Sequence, residues 1–328
     1  MKKVAWAILL ASLLVGLTAC QNGNGADGKV VLKLAENQPN DYPTTIGDKA
    51  FAEEVEKKTD GRIKVEVHAG GDLGDEKSVI EQVQLGSIHM ARVNVVPLSE
   101  YTHEIGVLTL PYLFPDEETM WKTLTGSVGD ELLKTMEKDQ LVGLTYYDSG
   151  KRGFYNSKRP IRTPKDLKGL KIRTHQSKLA IDTANSLGAS ATPMSYEEVY
   201  SAIQNGVIDG AENNYPSYFS SSHYEVAKYY TTDGHSTAPE VLMISKSVWD
   251  SLSAEDQKVL REAARNSMDV QRKAWNDLVE KSKENVKKNG NEVVEIKDLT
   301  PWRKAVQPVY DKHGKEYKQW LDKLEQVK

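Results

Sequence analysis

The sequence predicts an α/β protein folded as two lobes, with one long helix late in the chain. Three observations carry that reading. An apolar run at 30–35, a helix-length segment at 45–58 and an alternating run at 62–67 form a strand–helix–strand unit, which implies a parallel sheet. The chain has 328 residues, and even without a leader this exceeds what one hydrophobic core normally takes, so two domains are expected. The segment 254–288 contains neither proline nor glycine and reads as a single helix of more than thirty residues. Composition is that of an ordinary globular chain, with no repeats and no long low-complexity tract.

The amino terminus reads as a targeting segment. Lys2 and Lys3 precede an apolar run at 4–14 that is too short for a stable transmembrane helix. Leu17-Thr18-Ala19-Cys20 then looks like a bacterial lipobox. Cys20 is the only cysteine, so an intrachain disulfide is impossible. We read 1–19 as a lipoprotein signal peptide, Cys20 as the lipidated first residue, and 20–28 as a polar, Gly-rich tether. The tether holds a literal G-x-G-x-x-G from Gly23 to Gly28, but no strand precedes it and no helix follows, so it is not a dinucleotide site. Loss of Lys2 and Lys3 takes the formal charge from −4 to −6, which leaves no electrostatic footprint for nucleic acid.

Asn37 leaves the first strand among the turn formers Gln38, Pro39 and Asn40. Ile63, Val65 and Val67 share one face of the second strand, after a helix stopped by Asp60-Gly61. The run from Gly74 to Ser78 opens another helix, its acids complementing the helix dipole. A strand at 89–95 places Arg92 and Asn94, two apart, on one face. A proline-containing apolar run at 108–114, a helix at 117–138 and a strand at 141–147 complete the first lobe. In the second lobe, 170–172 alternates as a short strand after the turn Lys168-Gly169. Arg173 sits at its exit, before a helix starting near Ser177. A helix at 196–204 follows. Tyr215, Tyr218, His223 and Tyr224 then decorate a turn and helix, where rings either line a sugar site or simply pack. The chain crosses back near 231–240 into a buried strand at 241–245. The long helix, a late strand at 292–296 and helices around 302–310 and 316–326 end it. The expected division is therefore 29–150 plus about 239–278 for lobe I, and 151–238 plus about 279–328 for lobe II.

A guanidinium at the C-terminal end of a strand points into the crevice where open α/β sheets bind ligands. Its planar fork suits a carboxylate, which accepts two parallel charged hydrogen bonds. Arg173 has that position, and a second arginine, Arg152, ends another strand-like run within Gly150-Lys151-Arg152-Gly153. The stretches Leu73-Gly74-Asp75, 110–114 (LPYLF), 168–173 (KGLKIR), 193–200 (PMSYEEVY) and 209–213 (DGAEN) stand in a definite order and spacing. Together they resemble the substrate-binding proteins of TRAP (tripartite ATP-independent periplasmic) transporters, the DctP-like family. The resemblance covers nearly the whole chain after the leader. It implies a two-lobed, periplasmic-binding-protein-like fold with a long helix spanning both lobes. It also implies that Arg173 grips a carboxylate, with Arg152 and Asn213 fixing its other oxygens or the adjacent hydroxyl. Asn37, Glu76, Asn94, Glu212 and His235 would read the rest of the ligand.

Motifs for turnover are absent: there is no G-x-S-x-G elbow and no phosphate-binding G-x-x-x-x-G-K-[ST] loop. His103-Glu104 lacks a second histidine at helical spacing, and the seven histidines form no metal-ligand pattern. Binding without chemistry, cofactor or metal is therefore the expected activity. The protein would be an extracytoplasmic, lipid-anchored receptor that hands an organic acid to the membrane subunits of a TRAP transporter. An enzyme using Glu76 and Glu212 as a carboxylate pair, and the receptor of an ATP-driven importer, are the other classes considered. Within the first class a C4-dicarboxylate or a sialic-acid-type ligand is the alternative. Glu76 and Glu212 would repel a second carboxylate, whereas hydroxyls want such partners, so a hexuronate such as glucuronate or galacturonate is favoured.

Overall fold

A computed structural model describes residues 29–327; the leader, Cys20 and the tether at 20–28 lie outside the described residues. Its strands are β1 (Val30–Ala35), β2 (Ile63–His68), β3 (Met90–Asn94), β4 (Leu141–Tyr147), β5 (Gly153–Asn156), β6 (Lys171–Thr174), β7 (Ser190–Pro193), β8 (Gly210–Asn213), β9 (Tyr229–Thr231), β10 (Glu240–Ser245) and β11 (Glu292–Val294). They make two sheets, ordered β2-β1-β3-β10-β4 and β11-β9-β5-β8-β6-β7. In the first, β1 lies parallel between β2 and β3, as the strand–helix–strand pattern requires. Leu32 and Leu34 of β1 point into the core while Val31 and Lys33 face out. β3, β4 and β10 are buried along their whole length, which is why they read as near-continuous apolar runs. The helix Pro43–Lys58 begins on a proline, whose missing N–H has no role in a first turn, and buries Phe51 and Val55.

The chain passes between the sheets after β4, before β10 and along the helix Ala254–Lys288. That helix holds the expected bounds and packs on both lobes, against the helix Pro43–Lys58 and against Tyr215–Ser220. Gln271, wholly buried at its middle, takes the crossing strand by the backbone. Its Nε2 donates to Asp148 O and its Oε1 accepts from Asp148 N, both at 2.8 Å. Two residues on, Gly150 has φ +58, and a Cβ there would lie 2.8 Å from the Trp275 ring, so glycine is required on both counts. The carboxyl tail serves both lobes. Lys312 and His313 reach Asp182 of the second lobe at 2.6 and 2.7 Å. Tyr317 instead stacks on His103 of the first lobe at 5.0 Å, and Lys323 pairs with Glu131 there.

Three expectations need correction. The helix foreseen at 117–138 is two helices, Glu117–Leu124 and Ser127–Thr135, because Gly126 adopts an extended backbone between them. The helix foreseen around 302–310 is likewise two, Thr300–Ala305 and Gln307–His313, which meet at Val306. The chain also contains a structural repeat that its composition hides. β1, β2 and β3 in the order 2-1-3 match β6, β7 and β8 in the order 7-6-8, each triplet joined by two helices and flanked by an antiparallel strand, β10 or β5. The turns before β3 and β8 agree bond for bond. Gly86 and Gly206 have φ +76 and +70, and Ile88 N and Ile208 N donate to Gln82 O and Ala202 O, each at 3.3 Å. Only scattered residues such as Gln84/Gln204, Gly86/Gly206, Ile88/Ile208 and Ala91/Ala211 survive as identities.

Candidate functional site

The carboxyl ends of β1, β3, β6 and β8 face one another across the crevice between the sheets. The lobes meet over it: Tyr42 and Ser217 share a hydroxyl–hydroxyl bond of 2.8 Å, and Lys178 N donates to Glu100 Oε1 at 2.9 Å. Small cavities of about 30 and 20 Å³ remain between them, both walled by His175, and one of about 10 Å³, walled like the second by Glu76, lies within the first lobe.

Arg152, Glu212, Asn213 and His235 form one network on the second lobe. Arg152 is 3% exposed; its Nε and Nη2 grip the Glu212 carboxylate at 2.5 and 2.9 Å, and its Nη1 donates to Asn213 Oδ1 at 2.7 Å. Burial alone would lower the Arg152 pKa, but the Glu212 charge raises it. Burial would likewise raise that of Glu212, yet Arg152 and His235 hold it well below the usual carboxylate range. His235 lies 3.5 Å from Glu212 Oε2, its Nδ1 is 2.7 Å from Asp233 Oδ2, and it stacks on Phe154 at 4.4 Å. Burial disfavours its charge, but Asp233 and Glu212 lift its pKa to about 9. His235 thus carries a proton at neutral pH.

The first lobe holds a second network, built on Arg92. Its Nε donates to Glu36 Oε2 and its Nη1 to Glu240 Oε2, both at 2.8 Å; its Nη2 reaches Glu36 Oε1 and, at 2.5 Å, Asn37 Oδ1. Asn94 is fully engaged inside the protein. Its Nδ2 donates to Glu240 Oε1 at 2.9 Å and to Ala238 O at 3.2 Å, and its Oδ1 caps the turn Val95–Leu98 by accepting from Val96 N. Glu76 Oε1 accepts from Asn94 N at 2.8 Å, and Glu76 Oε2 faces His175 Nδ1 at 4.0 Å. Burial, reinforced by the Glu240 charge, pushes its pKa up to about 8.

Arg173 stands apart from both networks. It is 2% exposed, its Nε donates to Met194 O at 3.0 Å, and among the described residues no carboxylate comes within 4.0 Å of it. Burial lowers its pKa, with Glu212 acting on it only through space. The structure thus brings all eight candidates to one crevice, from segments as far apart as Asn37 and His235. It also adds Glu36, Arg92, Glu240, Asp233 and His175. Of these Arg92 shared a strand face with Asn94, Glu36 adjoined Asn37, and Asp233 stood two before His235. Glu240 had no local signal.

The tyrosines and His223 fall elsewhere. Tyr215, Tyr218 and Tyr230 pack face to face at 4.2 and 4.9 Å, Tyr224 sits edge-on to Tyr218 at 6.3 Å, and His223 Nδ1 bonds Tyr155 Oη at 2.7 Å. They build the second lobe's core, so the sugar-lining reading of these residues is replaced by packing. Among the described residues no three acids, histidines or cysteines are grouped to hold a metal, and no helix is long and apolar enough to cross a membrane.

Two mixed-sheet lobes closing on a crevice, with a guanidinium that meets no carboxylate among the described residues, have the form of a ligand-capturing binding protein. The chain belongs to the bacterial extracellular solute-binding proteins, family 7, whose model matches residues 34–317. It is 42% identical to a TRAP periplasmic solute-binding protein of Xanthobacter autotrophicus Py2 solved with bound β-D-galacturonate. That match covers 90% of this chain and all of the other, with a TM-score of 0.88. A protein of Pseudomonas putida F1 solved with bound D-glucuronate is 35% identical over 90% of this chain and 97% of that one, again with a TM-score of 0.88. A solute-binding protein of Chromohalobacter salexigens is 37% identical over 85% of this chain and 83% of its own.

Proposed function

We propose that this protein captures a hexuronate outside the cytoplasm and delivers it, unchanged, to a TRAP-type membrane transporter. The observation that carries the reading is the charge state of the crevice. Arg92 is matched by Glu36 and Glu240, Arg152 by Glu212, and protonated His235 by Asp233. With its pKa at about 8, Glu76 is largely uncharged at neutral pH. Arg173 is the cation of the crevice that meets no carboxylate among the described residues, which suits the carboxylate of a ligand. A second carboxylate would meet Glu212 and Glu240 in a poorly screened site, which argues against a C4-dicarboxylate. Hydroxyls find acceptors and donors in Glu76, Asn37, Glu212 and Asn213. The bound galacturonate and glucuronate of the two relatives support the same ligand class.

A thermal-shift panel tests this. D-galacturonate or D-glucuronate should raise the melting temperature, since a ligand that binds only the folded state stabilises it. Succinate and malate should do much less; a shift with a C4-dicarboxylate alone would overturn the ligand class. Recovery of the hexuronate unaltered after incubation separates receptor from enzyme.

The lipobox motivates a further part of the reading: Cys20 anchors the protein to a membrane through its acyl chains. Cys20→Ala should then shift the protein from the membrane fraction to the soluble one, and a wild type that is wholly soluble would refute the anchor. We also take 29–150 with about 239–278 as lobe I and the remainder as lobe II, noting that the tail touches both. A hexuronate spans the three small cavities only if the lobes part to admit it. Small-angle scattering should show a larger radius of gyration without D-galacturonate than with it. Equal radii would argue against hinge motion on this division.

A further inference from the structure

His175 is assigned no task by the account so far, yet it sits where the ligand must lie. It directly follows β6, two residues after Arg173, and only 7% of it is exposed. It walls the cavity that holds Arg152, Glu212 and His235, and also the one that holds Arg173 and Glu76. Its Nδ1 faces Glu76 Oε2 across the crevice at 4.0 Å, so the contact joins one lobe to the other. Its Nε2 is buried and has no hydrogen-bond partner among the described residues. In native proteins the large majority of buried side-chain polar atoms have a partner in protein, water or ligand.

We propose that His175 is a specificity-determining residue whose Nε2 hydrogen-bonds a hydroxyl of the bound acid while Glu76 orients the ring through Nδ1. The inference rests on the sugar-acid reading above. Burial together with Arg173 and Arg152 holds the imidazole uncharged, so one ring nitrogen donates and the other accepts. An ionised Glu76 accepts from Nδ1–H and makes Nε2 an acceptor. A protonated Glu76 donates to Nδ1 and makes Nε2–H a donor. A hydroxyl satisfies Nε2 in either case, because it both donates and accepts. A carboxylate oxygen satisfies only the second. Because Glu76 is largely uncharged at neutral pH, the second arrangement prevails there, and an acid with no oxygen at this position leaves Nε2–H unpaired. Sites that hydrogen-bond a substrate hydroxyl discriminate strongly against analogues lacking it, because the polar group is otherwise left unpaired.

The test uses the whole protein with 15N-labelled histidine, titrated with D-galacturonate and D-glucuronate. The His175 resonance is assigned by its disappearance in His175→Gln. At saturation its Nε2 shift should move, while that of His89, on the far side of the first sheet, stays in place. By calorimetry His175→Phe, which keeps the ring and removes both nitrogens, should weaken binding roughly 10- to 100-fold, and His175→Gln by less than about 10-fold. An unmoved Nε2 at calorimetric saturation of the wild type would overturn the proposal and leave that nitrogen to a fixed water. Wild-type affinity in a folded His175→Phe would do the same. If His175→Phe does not fold, the resonance shift decides alone. A wild type that binds neither hexuronate removes the sugar-acid reading and this inference together, whereas failure of the variants with an intact wild type removes only the inference.

Discussion

The two lobes carry the same ion pair with its signs exchanged. Arg92 of β3 is held by Glu240 at the start of β10. At the equivalent place on the second lobe Glu212 of β8 is held by Arg152, just before β5. The sheet registers support the match: Glu240 lies opposite Asn94, and Gly153 lies opposite Asn213. The difference lies one strand over. Next to Arg92, β1 exits through Glu36, which takes two of that arginine's nitrogens. Next to Glu212, β6 places Arg173, whose charge has no carboxylate partner among the described residues. Lobe I therefore surrounds its arginine with two carboxylates, and lobe II presents a cation to the crevice. One repeated architecture thus yields a structural arginine on one side and, in the reading we propose, a ligand-facing arginine on the other.

That contrast is broken or sharpened by exchanging the two arginines for neutral residues. Removing one partner of a desolvated ion pair typically costs ~3–5 kcal/mol. For Arg173 the missing partner is the ligand. Arg173→Ala should lower hexuronate affinity by roughly two to four decades, with stability of the ligand-free fold unchanged or raised, because a buried unpaired charge has gone. For Arg92 the partners are Glu36 and Glu240. Arg92→Met should cost about 3–5 kcal/mol of folding free energy by leaving two buried acids unmatched. Urea denaturation and calorimetry on both variants read the two effects separately. A stability loss in Arg173→Ala matching that of Arg92→Met would erase the distinction between the lobes.

A smaller effect concerns Glu76. A carboxyl whose folded pKa is raised binds its proton more tightly folded than unfolded. Its contribution therefore declines as pH rises from the unfolded value of 4.5 to about 8, and is constant above that. His235, raised from 6.5 to about 9, adds a loss of the same sign across that higher window. Glu76→Gln should flatten the fall in stability between pH 5 and 6.5, where His235 contributes little, reduce it between 6.5 and 8, where both groups act, and leave it in place from 8 to 9. Urea midpoints at pH 5, 6.5 and 8 measure it. An unchanged slope below 6.5 would mean that Glu76 is ionised in the folded protein.

Local pattern made much of the fold legible. β1, β4 and the helix Ala254–Lys288 have the bounds read from apolar alternation and from the absence of proline and glycine. The break at Gly126 is not legible because a glycine in an otherwise helical run signals only a cost, and Gly129 three residues on sits inside the second helix. The repeat was missed because packing constrains the turn geometry at Gly86 and Gly206 more than the residues around it. In the crevice, residues adjoining recognisable turns or motifs were found. Glu36 and Glu240 were not, since an acid at a strand end usually faces water, and only the folded sheet brings Arg92 between them. Asn94, expected to face the crevice, has its amide occupied by Glu240 and the turn that follows.

The central claim is that Arg173 grips one carboxylate with both arms of its fork, and Arg173→Lys tests it most directly. Lysine keeps the charge but loses the planar pair of donors. Isothermal titration with D-galacturonate should give an affinity above that of Arg173→Ala and well below the wild type. Binding of folded Arg173→Lys at wild-type strength would contradict the bidentate grip and leave Arg173 as a background charge.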